Sequence, residues 1–136
     1  MAIGGSAIQR PLAVMMSRRI LSVGPDTPVI EAARTMQEAK VGALLVAESS
    51  RFIGIVSEAD LVRRVLAVGG NVHQVRVAEV MRAPIITIEI DRSAHEASDL
   101  MAERGIRHLA VTDTGKIVGM LSVRDLLKYF KNWGTL

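Results

Sequence analysis

Gly54-Ile55-Val56-Ser57-Glu58-Ala59-Asp60 and Gly119-Met120-Leu121-Ser122-Val123-Arg124-Asp125 are two copies of one pattern, a glycine, two apolar residues, a serine and an aspartate three residues on. The match extends outward from them. At an offset of 65 residues (Gly54 onto Gly119), Leu12 to Val65 aligns without a gap on Val77 to Phe130. A shared hydrophobic period needs only apolar positions to agree, so agreement at Gly, Ser and Asp calls for a further cause. A tandem duplication is the first organisational fact of the chain.

Each copy reads the same way from its start. Leu12 to Met16 and Val77 to Met81 look like short helical turns. Ile20 to Val23 and Ile85 to Ile88 are short and rich in β-branched residues, which favours strands. Thr27-Pro28 offers a capping hydroxyl before a proline at the first helical position, and Ser93-Ala94-His95-Glu96 reads as a capping box. The helices that follow run to about Lys40 and Arg104, burying Val29, Ala32, Ala33 and Met36 in one copy and Ala94, Ala97, Leu100 and Met101 in the other. Gly105 is placed to end the second as a left-handed cap.

Two strands follow in each copy, Ala43 to Ala47 with Phe52 to Val56, and His108 to Thr112 with Lys116 to Leu121. The short turns Glu48-Ser49-Ser50-Arg51 and Asp113-Thr114-Gly115-Lys116 make them hairpins. A closing helix opens at Ser57 or Ser122, carrying Leu61, Val62 and Val65 or Leu126, Leu127 and Phe130. The fold class is α/β (α+β), two strand-helix-strand-strand-helix repeats. The expected division is an N-terminal arm at 1–10, repeats at 11–68 and 76–131, a linker at 69–75 and a tail at 132–136. At 136 residues the repeats are expected to share one core, as two small sheets packed face to face about a pseudo-twofold axis with two equivalent clefts.

Composition narrows the function classes. Only 3% of residues are aromatic, which argues against a stacking platform for single-stranded nucleic acid. Seventeen Lys and Arg against 14 Asp and Glu, spread along the chain, give +3, too weak a bias for a nucleic-acid footprint. With no cysteine there is no disulfide or thiolate chemistry, in keeping with a reducing compartment. No secretory signal or membrane-length apolar run is readable, so cytoplasm is the expected location. His73, His95 and His108 lack metal-ligand spacing, so no metal site is expected. No nucleophile stands beside a base, so an enzyme is not expected.

Ser57-x-x-Asp60 and Ser122-x-x-Asp125 fit the capping-box formula, and starting a helix is a sufficient role for either pair alone. The glycine three residues earlier adds a functional reading. A glycine lets a ligand approach the strand backbone, a helix N-terminus offers N–H groups to an anion, and a carboxylate can accept both hydroxyls of a ribose.

This constellation resembles the cystathionine β-synthase (CBS) domain pair, or Bateman module, from about Pro11 to Phe130. The resemblance rests on the paired Gly-x-x-Ser-x-x-Asp, the entrances Ala13-Val14-Met15-Met16 and Val77-Ala78-Glu79-Val80-Met81, and the segments Val41 to Val46 and Ile106 to Val111. It implies a regulatory module, without catalysis or catalytic cofactor, that binds an adenosine nucleotide in clefts between the repeats: AMP first, or ADP, ATP, NAD or S-adenosylmethionine. Ser57 with Asp60 and Ser122 with Asp125 would hold ribose. Main chain at Ile20-Leu21 and Ile85-Ile86 would grip adenine, and Arg107 and His108 would meet phosphate. Gly42, Gly54 and Gly119 complete the ligand-contacting set. Arg124 would reach the cleft whose ribose is on Asp60, favouring more highly phosphorylated ligands there, since Gly42, Ala43 and Ala59 replace Arg107, His108 and Arg124 in the first copy. Ala110 and Val14 depart from the family pattern outside the ligand-reading positions.

For His108, strand packing stands beside phosphate contact as an alternative. The C-terminal Tyr129, Phe130 and Trp133 fit either ordinary packing or the homodimer contacts common in this family. The regulated partner is then another protein chain. Two competing readings remain, an assembly module whose clefts are vestigial and a nucleic-acid regulator using the basic excess.

Overall fold

The structure is a computed structural model that describes residues 11–132. The expected C-terminal Trp133 contact and the 1–10 arm lie outside the described residues. In chain order the elements are α1 (Leu12–Met15), β1 (Ser22–Val23), α2 (Val29–Ala39), β2 (Ala43–Glu48), β3 (Arg51–Ser57) and α3 (Glu58–Leu61), which widens into a π-helical turn at Val62–Leu66. The second copy gives α4 (Val77–Val80), β4 (Thr87–Glu89), α5 (Ala94–Arg104), β5 (His108–Asp113), β6 (Lys116–Ser122) and α6 (Val123–Asn132). They form two three-stranded sheets, β1-β2-β3 and β4-β5-β6, each with a parallel first pair and an antiparallel hairpin.

The duplication is reproduced down to irregularities. Each hairpin carries a register shift at the same place, Val46/Ala47 and Val111/Thr112. The turns put Ser49, Ser50, Thr114 and Gly115 at positive φ, as two-residue hairpin turns matched to the strand twist require. Gly105 ends α5 at φ 62°, as its sequence position indicates, while the corresponding cap of α2 is Lys40 at φ 58°. Two boundaries and one helix face differ from expectation. The first strands are shorter, because only Ser22–Val23 and Thr87–Glu89 have a parallel partner. Helix α2 takes Pro28 as its N-cap with no side-chain hydrogen bond, so the Thr27 hydroxyl does not cap it. On the closing helices Val65 and Leu126 face the interior as expected, joined by Tyr129, while Val62 and Leu127 point outward at 54% exposure.

The chain forms two compact units, and these exchange their entrances. One, the Asp60 unit, spans Leu21–Ile85; the other, the Asp125 unit, joins the described residues up to Ile20 to those from Ile86 onward. Helix α1, read as the start of the first copy, therefore belongs with the strands of the second. Leu12 is fully buried among Ile88, Leu109, Leu121 and Leu126. Reciprocally, α4 serves the first copy's strands, with Val77 fully buried among Leu44, Val56 and Val65. Burying each such side chain contributes about 1.5–3 kcal/mol. Each unit has its own hydrophobic cluster, where length and repetition had implied one shared core.

The exchange is fixed by backbone pairing. Ser17 N–H and Met120 N–H donate to each other's carbonyls at 2.8 and 2.9 Å, and Arg82 and Ile55 do the same at 2.8 and 3.0 Å. Met120 and Ile55 each follow the motif glycine, and a side chain there would obstruct the pairing. A Cβ on Gly119 would stand 2.6 Å from Met16 Sδ and 2.9 Å from the Ser17 carbonyl; on Gly54 it would stand 2.7 Å from Met81 Sδ and 2.9 Å from the Arg82 carbonyl.

One tie is peculiar to the second copy. Glu89 at the end of β4 accepts hydrogen bonds from the Thr112 hydroxyl and the Thr114 N–H, bracing the β5–β6 turn. These bonds hold its carboxyl below the usual carboxylate range, and the Ser93 N–H does the same for Glu96. A lowered folded-state pKa contributes stability that is present above the unfolded pKa and lost as pH falls through the folded one. Acidification from neutral pH into and below the carboxylate range should therefore lower the denaturation midpoint of the native protein more than that of Glu89→Gln. An equal loss in both proteins would show that Glu89 contributes nothing to the acid sensitivity.

Candidate functional site

Both Ser-x-x-Asp pairs close as capping boxes at strand-to-helix junctions. In the first, the Ser57 N–H and hydroxyl donate to Asp60 Oδ2 at 2.9 and 3.0 Å, and the Asp60 N–H donates to Ser57 Oγ at 3.3 Å. In the second, the same three bonds join Ser122 and Asp125 at 2.8, 3.0 and 3.2 Å. The next N–H of each helix goes to the carbonyl of Gly42 or Arg107 at 2.9 Å. The chain itself thus satisfies most of the N–H groups that the sequence had offered to an anion. The motif glycines likewise have a role that needs no ligand, since the close approach they permit is made by the exchanged entrance segments.

What distinguishes the copies is the second carboxylate oxygen. Asp60 is 1% exposed, and its Oδ1 accepts the Arg82 Nε–H at 3.0 Å, with Arg64 Nε 4.0 Å away. Arg64 is itself anchored by a bond from its guanidinium to the Val80 carbonyl at 3.1 Å. The positions equivalent to Arg82 and Arg64 in the other copy are Ser17 and Tyr129, neither of them a cation. Asp125 is half-buried, and among the described residues no hydrogen bond or ion pair reaches its Oδ1. A carboxylate oxygen with two lone pairs is left available there.

The remaining candidates divide between the units. The Asp125 unit holds Ser122, Arg107, His108, Arg124, Gly119 and Ile86, with Ile20 at the end of the entrance segment. His108 stands opposite Ser122 across the β5–β6 ladder and is half-buried, while Arg107 and Arg124 are exposed. The Asp60 unit holds Ser57, Gly42, Gly54, Leu21 and Ile85. Leu21 and Ile86 lie just ahead of β1 and β4, each with its carbonyl accepting from the neighbouring strand, at Leu45 and Ala110. Sequence reading missed Arg82 and Arg64. The available signal was the offset itself, which sets an arginine against Ser17 and another against Tyr129.

Among the described residues there is no cluster of His, Asp and Glu able to hold a metal ion, and no helix is long and apolar enough to cross a membrane. His95 is exposed and packs edge-on against Phe130, with ring centroids 5.1 Å apart.

The family profile described as "CBS domain" matches the chain twice, at residues 12–67 and 77–132. An uncharacterized protein of Methanopyrus kandleri is 34% identical over 113 residues, 82% of this chain; the chain spans only 58% of that relative. The CBS domain-containing protein YhcV of Bacillus subtilis is 32% identical over 111 residues, covering 82% of this chain and 79% of YhcV. A solved CBS-domain protein from Burkholderia ambifaria superposes with a TM-score of 0.83 at 34% identity, over 88% of this chain and 92% of the other. With its two matched segments, its duplicated sheets and these relatives, the chain belongs to the CBS domain family and carries two such domains in tandem.

Proposed function

We propose that this CBS pair is a regulatory module that binds an adenosine nucleotide through Asp125, without altering it chemically, and passes the binding event to a partner chain. The observation that carries the reading is the unshared Oδ1 of Asp125. Its Oδ2 is occupied by the helix cap, which fixes the carboxylate, while Oδ1 can accept from the two vicinal hydroxyls of a ribose. Ser122 beside it contributes a hydroxyl, and Arg107 and His108 lie in the same unit as candidates for phosphate. Main chain near Ile20-Leu21 and Ile85-Ile86 is the proposed adenine grip, and AMP the leading ligand, ahead of ADP, ATP, NAD and S-adenosylmethionine. A homodimer is the proposed assembly, with signalling by a shift between two arrangements that the ligand binds unequally.

Thermal unfolding with each of these compounds tests the class. A compound at a hundred times its dissociation constant adds about 2.7 kcal/mol of stability. Stabilisation by adenosine-containing compounds and not by guanosine ones is the expected outcome. Stabilisation by neither would favour an assembly role that uses no nucleotide, and equal stabilisation by both would overturn the adenosine selectivity.

A further inference from the structure

We propose that Arg82 is a built-in competitor for ribose at Asp60, so that the two copies form one open and one latched nucleotide site. The inference rests on the nucleotide reading of Asp125 and extends it to its twin. Both aspartates use Oδ2 for the helix cap, so ribose recognition in either copy depends on Oδ1. In the Asp60 unit that oxygen already holds the Arg82 Nε–H at 3.0 Å, and the carboxylate is 1% exposed beneath it. A ribose must displace the guanidinium to reach it.

The latch is positioned by the fold. Arg82 is the residue whose backbone pairs with Ile55, which fixes its Cα beside the strand leading into Ser57 and Asp60. Its side chain is 37% exposed, so it can swing into water when a ligand competes. Arg64 stays behind at 4.0 Å, anchored on Val80, so the carboxylate keeps a nearby cation when Arg82 leaves. A charge-assisted hydrogen bond to a carboxylate is strong enough to set the two sites apart by about tenfold in affinity. The open site fills first and the latched site only as ligand concentration rises further, which widens the range over which occupancy changes.

The test is a reciprocal exchange of the two equivalent residues. Ser17 is exposed and pairs with Met120 through backbone alone, so Ser17→Arg can place a guanidinium at Asp125 while keeping that pairing, at the loss of one exposed bond from the Arg19 N–H to Ser17 Oγ. Arg82→Ser removes it from Asp60, and Arg82→Lys, which keeps the charge and loses the Nε–H, serves if the serine variant folds poorly. Calorimetric titration with AMP should show two sites of unequal affinity in the native protein, the tighter abolished by Asp125→Asn. Arg82→Ser should tighten the weaker site about tenfold, and Ser17→Arg should weaken the tighter one by a similar factor. If AMP binds and both variants titrate like the native protein, the latch is overturned while the nucleotide reading stands. Should another of the named adenosine compounds bind in place of AMP, the same titrations are read with it; if none of these proteins binds any of them, both ideas fall together.

Discussion

Asp60→Ala should destabilise the protein by roughly 3 kcal/mol, and Asp125→Ala by about 1 kcal/mol. The two residues occupy the same position in a duplicated motif, and their helix caps have the same geometry to within 0.1 Å. Loss of the cap is common to both substitutions. At Asp60 the substitution also strips a nearly fully buried carboxylate from Arg82. Removing one member of a buried pair costs more than the pair contributes, because its partners are left unsatisfied. Arg82 is partly solvated, which keeps the expected cost at the lower end for such pairs. Chemical denaturation of both variants measures the difference. Equal losses would show that the Arg82 contact carries no weight in the folded protein.

Gly54→Ala and Gly119→Ala should each cost roughly 2 kcal/mol. A methyl group at either site falls within 3 Å of two neighbours of different kinds. The methionine sulfurs, Met81 and Met16, sit on flexible side chains and can move aside. The carbonyls of Arg82 and Ser17 cannot, because each is held in a reciprocal backbone pair with the strand that carries the glycine. The substitution must therefore loosen the docking of the entrance segment, and with it the burial of Leu12 or Val77. At Gly54 the same displacement moves Arg82, so Gly54→Ala should also tighten nucleotide binding at the latched site. A stability unchanged by either alanine would mean that the entrance segments do not pack on these strands.

The sequence was most informative where chemistry is local. The Ser93-Glu96, Ser57-Asp60 and Ser122-Asp125 contacts each close within three residues, and the left-handed cap at Gly105 follows from glycine's freedom at positive φ. Two hairpins with two-residue turns are equally short-range. Lys40 shows the limit, since its φ of 58° is dictated by the turn into β2 and nothing in its identity announces it.

The exchange of entrances was not legible for a different reason. Superposing the repeats shows that Ser17 corresponds to Arg82, but the alignment is silent on which copy's strand each pairs with. That choice is made by backbone hydrogen bonds to Met120 and Ile55, far away in sequence and indifferent to side-chain type. Once it is made, Arg82 of the second copy becomes a neighbour of Asp60 in the first. The charge asymmetry visible in the sequence lay in Arg107, His108 and Arg124 of the second copy; the fold adds a second asymmetry, with Arg82 and Arg64 gathered on the first copy's aspartate.

In the proposed function, Oδ1 of Asp125 receives the ribose of an adenosine nucleotide. Calorimetric titration of AMP, and then of ADP, ATP, NAD and S-adenosylmethionine, into the native protein and Asp125→Asn tests it most directly. Saturable binding of at least one compound by the native protein, weakened at least tenfold in the variant, is the expected result. Binding of the same compound with equal affinity by both proteins, or no binding of any by the native protein, would contradict it.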